Sequence, residues 1–264
     1  MWIDSHCHLT HKNHEDGVSA QSLIDGAIEH GVDGMLSISC QINGDFPAQL
    51  ELARAHKNVW CSIGTHPHDS GLKTEKAITL QELVKLANSD PNIIGIGESG
   101  LDYYYDNSPR EDQAESFRKH IYASLETDLP IIIHTRDAEE DTIRIMKEEG
   151  TGRLRGVMHC FSGSRWLAEQ ALELGFYISL SGIVTFPKAG ELQEIARDVP
   201  IDRIMVETDA PFLAPVPLRG KPNRPEYVRH TGEFLAKLRN EQLEALAKAT
   251  TDNFYTLFNR AERP

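Results

Sequence analysis

The chain has 264 residues, with 40 acidic against 27 basic side chains and a formal net charge of -13. That balance argues against wrapping duplex DNA through many cationic phosphate contacts, yet leaves room for a local site whose positive charge comes from metal ions. No apolar run approaches the roughly 20 residues of a membrane helix. No basic-then-apolar leader opens the chain, and the four cysteines (Cys7, Cys40, Cys61, Cys160) lack Cys-x-x-Cys spacing, so a cytoplasmic protein with buried free thiols is expected.

In chain order, short runs rich in Ile, Val and Leu alternate with amphipathic stretches. Strands are predicted over residues 1–5, 34–39, 59–64, 93–98, 131–134, 156–159, 176–179 and 203–207. Helices are predicted over residues 19–30, 46–56, 80–87, 109–127, 138–149, 164–174 and 189–198. Strands separated by helices imply right-handed parallel units. Eight such strands predict an α/β fold, the (β/α)8 TIM barrel, as a single domain over residues 1–264. Residues 211–225 hold five prolines and predict an ordered loop. Beyond it, residues 226–238 and 241–248 predict C-terminal helices that cover the barrel wall.

Barrel active sites lie where the strands end. The first strand runs into His6-Cys7-His8, and alternation puts both imidazoles on one face. By itself that pair fits a metal ligand or two histidines satisfied by backbone carbonyls. Later strand ends supply Glu98, His134, His159 and Asp209. Each has a plain alternative: a buried structural carboxylate, a helix-start pair with Asp137, a core histidine, a turn cap before Pro211. Together they favour metal, because charges and imidazoles clustered on one rim are costly without a cation. Six ligands suit two ions about 4 Å apart. The expected arrangement gives His6, His8 and Asp209 to one ion, His134 and His159 to the other, and Glu98 to both. The ligand set allows Mg, Mn, Zn, Co or Fe.

The chain resembles the TatD family of metal-dependent deoxyribonucleases, within the amidohydrolase superfamily. The resemblance rests on Asp4-Ser5-His6-Cys7-His8, Gly64-Thr65-His66-Pro67, Gly97-Glu98-Ser99-Gly100-Leu101-Asp102-Tyr103, His134-Thr135-Arg136-Asp137-Ala138, His159-Cys160-Phe161-Ser162-Gly163 and Glu207-Thr208-Asp209-Ala210-Pro211-Phe212-Leu213, in family order. It implies the same six ligands and a magnesium-stimulated nuclease acting near 3′ ends of DNA. One departure is Pro222-Asn223-Arg224-Pro225, where family members often carry Arg-Asn-Glu-Pro. Arg224 there is either a phosphate contact or a solvated loop charge.

The expected reaction is phosphodiester hydrolysis by a water activated at two divalent metal ions, with Glu98 and Asp209 as catalytic carboxylates and Asp209 as general base. His66 and Arg136 are the candidate substrate contacts, His66 alternatively a turn residue set by Pro67 and Arg136 alternatively a surface partner of Asp137 or Glu139. Tyr103 to Tyr105 could stack a base or pack under a loop. Arg136, Arg165, Arg219, Lys221 and Arg224 favour an open cationic trough for DNA, single-stranded or at a 3′ end, and the protein is expected to be a monomer. The same machinery could instead cleave an amide or ester such as an aminoacyl-tRNA, and a non-catalytic scaffold is the third possibility.

Overall fold

The computed structural model describes residues 1–15 and 17–263. Eight strands, β1 (Trp2–Cys7), β2 (Val32–Ser37), β3 (Val59–Ile63), β4 (Ile93–Asp102), β5 (Ile131–Arg136), β6 (Gly156–Met158), β7 (Tyr177–Leu180) and β8 (Ile204–Val206), pair in parallel in chain order. Between them lie α1 (Ala20–Glu29), α2 (Phe46–Ala55), α3 (Lys73–Lys76), α4 (Leu80–Ala87), α5 (Arg110–Thr127), α6 (Glu139–Glu149), α7 (Arg165–Glu173) and α8 (Gly190–Asp198). After β8 come α9 (Val228–Arg239) and α10 (Leu243–Leu257). This is the predicted TIM barrel. β1, β3, β4, β6, β7 and β8 are buried along their whole length because helices cover their outer face. Helix starts carry their own signals: the Ser19 and Thr79 hydroxyls accept from the backbone of Ser22 and Glu82, in reciprocal caps.

β4 runs past its predicted end to Asp102, because its last residues keep pairing with β5 from Gly100 opposite His134 to Asp102 opposite Arg136. The barrel closes differently from its other seams. The Asp4 carboxylate accepts from the backbone N–H of Thr208 at 2.9 Å and from its hydroxyl at 2.5 Å. Just beyond β8, Asp209 N–H donates to His6 O at 2.9 Å and His8 N–H donates to Ala210 O at 2.8 Å. The first and last rim residues are thereby tied directly together.

One residue from every strand fills the barrel: Ile3, Leu36, Trp60, Ile94, Ile132, Val157, Tyr177 and Met205. The lower end is closed by Phe254 and Leu257 of α10 and by Phe258, which caps it. That corrects the expectation for residues 241–248, because the last helix is longer and plugs the barrel, while α9 packs against its wall beside α8, β1 and β8. Its aromatic spacing of Phe254 and Phe258 presents one face inward. No described helix is long and apolar enough to cross a membrane.

Candidate metal centre

The alternation of β1 puts Cys7 among the buried side chains between barrel and helices, leaving His6 and His8 to the rim. Glycines then allow β3, β4 and β5 to approach closely beneath the other ligands. A Cβ on Gly64 would lie 2.4 Å from the Gly97 backbone, and one on Gly100, at φ +149°, would lie 1.9 Å from His134 O. The rim end of β8 is held by Asp209 itself, which adopts φ +58°. Asp tolerates that left-handed conformation better than most residues, and the bond to His6 O keeps it there.

Glu98 sits at the centre. Its Oε1 lies 2.7 Å from His159 Nε2, 2.9 Å from His134 Nδ1 and 3.4 Å from His66 Nε2. Its Oε2 lies 3.4 Å from His6 Nε2 and 4.0 Å from His8 Nε2. Asp209 Oδ1 is 3.3 Å from His8 Nε2 and 3.7 Å from His6 Nε2. One carboxylate oxygen therefore faces His66, His134 and His159, and the other faces His6 and His8 with Asp209 alongside. All six predicted ligands come together, and His66 joins them: His6, His8 and Asp209 have ligand atoms in mutual reach, as do His6, Glu98 and His159, and as do His66, Glu98 and His134.

The donors fit divalent cations. His6 is fully buried, and neither of its ring nitrogens finds a hydrogen-bond partner among the described residues. An imidazole in that state costs free energy unless a cation takes a lone pair. Burial opposes charge on His159, yet Glu98 and Glu207 raise its pKa to about 10. Burial likewise opposes ionisation of Glu98, but His159 and His66 keep its carboxyl well below the usual range. Asp209 is held down by His8 and His6 against burial, so it is ionised at neutral pH.

Behind the ring stand residues the sequence did not single out. Asp102 accepts from His68 Nε2 at 2.9 Å and lies 3.2 Å from His134 Nε2, so its carboxylate sets the face His134 turns to Glu98. Glu207, fully buried, accepts from Cys160 N–H at 2.7 Å and lies 3.4 Å from His159 Nδ1, an electrostatic contact. Both fall inside the recognisable segments, a few residues from a ligand, which is the signal that could have found them. Cys40 was expected to be a buried free thiol and is only half-buried. Its Sγ is 3.7 Å from His8 Nδ1, within reach of His8 and Glu98, although burial pushes the thiol up to about 11. Cys160 is also only half-buried.

Arg136 is not among the side chains that meet Glu98 or Asp209. It makes no ion pair with Asp137 or Glu139; its guanidinium sits over the Tyr104 ring, 3.9 Å from the centroid. The expected cationic trough is thinner than the sequence implied. Arg165 pairs with Asp198 at 2.7 Å, and Arg224 with Glu15 at 2.8 Å. Arg224 thus straps the loop after β8 to the loop after β1, a role neither of its two expected ones covers. Asn223 beside it donates to Thr208 O and Phe212 O at 2.8 and 2.6 Å.

Comparison with known proteins gives the family. The profile of the TatD related DNase family matches residues 3–259. The uncharacterized metal-dependent hydrolase YcfH of Escherichia coli K12 is 41% identical over 263 residues, covering 97% of this chain and 95% of that protein. The 3′-5′ ssDNA/RNA exonuclease TatD of Salmonella typhimurium is 35% identical over 240 residues, covering 88% and 90%. Among solved structures, YjjV, a TatD homologue from Escherichia coli K12, superposes with a TM-score of 0.88 at 28% identity, covering 98% of each chain. A barrel with this carboxylate-centred histidine ring, matched along nearly its whole length, is a metal-dependent hydrolase and belongs to the TatD related DNase family.

Proposed function

We propose that the protein is a deoxyribonuclease that hydrolyses phosphodiester bonds near 3′ ends, preferring single strands, with two divalent metal ions (Mg, Mn or Zn). The division of the two Glu98 oxygens between two sets of histidines carries this reading, because a bridging carboxylate is what a paired-ion centre requires. His6, His8 and Asp209 would hold one ion and His134 and His159 the other, with Glu98 shared. The Salmonella relative, named as an ssDNA/RNA exonuclease, supports a nucleic-acid substrate and makes RNA a necessary comparison. Four free thiols support a reducing, cytoplasmic setting.

Cations held by these residues would supply Lewis acidity, neutralising phosphate charge and acidifying the attacking water. The chain does the rest. Asp209 is partly open to solvent while His6 behind it is sealed, so it can meet an incoming water. Its lowered pKa makes it a weak base, effective through position rather than proton affinity. Glu98 holds its histidines apart and oriented. His66 lies at the edge of the ring, where it can contact a phosphate oxygen or extend the ligand set. Arg136 can reach a phosphate further along the strand.

A reconstituted panel tests the assignment: single-stranded, 3′-recessed and duplex DNA, RNA, and an aminoacyl ester, each under Mg, Mn and Zn. The single strand should show the highest kcat/KM. A preference for the ester by orders of magnitude would replace the nuclease with a deacylase.

A further inference from the structure

Beside the metal centre lies an aromatic surface whose exposed tyrosines the chemistry above does not use. Tyr104 and Tyr105 are 57% and 54% exposed, and their rings meet edge to face at 4.8 Å. Tyr103 behaves differently: its hydroxyl donates to Asp141 at 2.8 Å and Arg110 lies over its ring, so it packs into the wall. The Arg136 guanidinium lies 3.9 Å above the Tyr104 ring and 4.8 Å from that of Tyr105. It has no carboxylate partner among the described residues, in a chain of net charge -13. Two exposed aromatic faces and a flat cation are what unpaired bases stack on.

The surface is also fixed to the centre. Asp102 Oδ1 accepts from the N–H groups of Tyr104 and Tyr105 at 3.0 and 2.9 Å, while its Oδ2 contacts His134 and His68. His68 in turn meets the Tyr105 ring at 5.3 Å. One buried carboxylate therefore sets both the orientation of a ring histidine and the position of the tyrosines.

We propose that Tyr104, Tyr105 and Arg136 form a stacking subsite for an unpaired base of a single strand, next to the phosphate being cut. The subsite rests on the nuclease reading and explains why single strands should be preferred: bases inside a duplex have no free face to offer.

The test uses a single-stranded oligonucleotide carrying 2-aminopurine near its 3′ end, bound to metal-loaded protein with Asp209→Asn so that nothing is cleaved. Binding should quench the fluorescence. Tyr104→Leu with Tyr105→Leu should raise Kd by about tenfold and abolish the quench, while Tyr104→Phe with Tyr105→Phe keeps both. In protein with Asp209 intact, the Leu pair should raise KM for the single strand and leave kcat unchanged. Equal Kd for the Leu pair and its parent, or binding without quenching, overturns the subsite. If the enzyme cleaves no oligonucleotide, the nuclease reading falls, and the fluorescence arm still decides the subsite.

Discussion

Asp209 concentrates the chemistry of the ring in one side chain. It touches two histidines, adopts a left-handed backbone, and is tied to the residue it faces across the closure. Strain of this kind persists only where the surroundings enforce it. Replacing it with Ala should lower kcat by roughly 10²–10⁴-fold, the usual contribution of a positioned base. The far-ultraviolet spectrum should stay native, since Thr208 and Asp4 hold the seam without it. A variant that hydrolyses a single-stranded oligonucleotide at the parent's rate would remove Asp209 from the mechanism. At this scale much was legible. The six rim residues could be read because each ends an apolar run, and strand ends point where barrels react. The roles of Asp102, Glu207 and Cys40 were not legible even where the residue stood in a recognisable segment, because they act sideways on a neighbour from another strand, and such contacts leave no periodic trace.

At the scale of elements, two long-range supports hold the barrel's shape. His120 on α5 is buried; its Nδ1–H donates to Ser116 O at 2.7 Å and its Nε2 accepts from Thr65 N–H at 3.0 Å. That bond anchors the turn carrying His66. Burial lowers the His120 pKa from 6.5 to about 4, so the folded protein favours the neutral ring. Stability from this group is complete above pH 6.5 and is lost as pH falls toward 4. The parent should lose roughly 3 kcal/mol across that window that His120→Gln does not, measured by urea unfolding at both ends. The second support is the α10 plug. Phe258 is fully buried under the barrel, and Phe258→Ala should cost about 3–5 kcal/mol by leaving a cavity the strands cannot close. A change below 1 kcal/mol, roughly the value of a surface site, would mean the plug is dispensable. Helical periodicity located α10 but could not say whether it covers the wall or the floor, because both present the same apolar face.

At the scale of the molecule, cations should act as part of the fold, since the ring collects buried carboxylates and imidazoles from β1, β4, β5, the end of β6 and the end of β8. Chelation should abolish hydrolysis and lower Tm by roughly 5–10 °C, the loss of a ligand present at about 100 times its Kd. Returning metal should restore both; a stripped protein that keeps full activity would end the metal account. The sequence by itself determined the alternation of strands and helices, the barrel it implies, and which side chains stand at the rim. These follow from local periodicity, which is written in neighbouring residues. Only the tertiary structure decided how Asp4 and Thr208 close the barrel, which Glu98 oxygen meets which histidine, and how Asp102 couples His134 to the exposed tyrosines. Those relations join residues far apart in the chain, and their distances exist only once the eight strands have closed on one another.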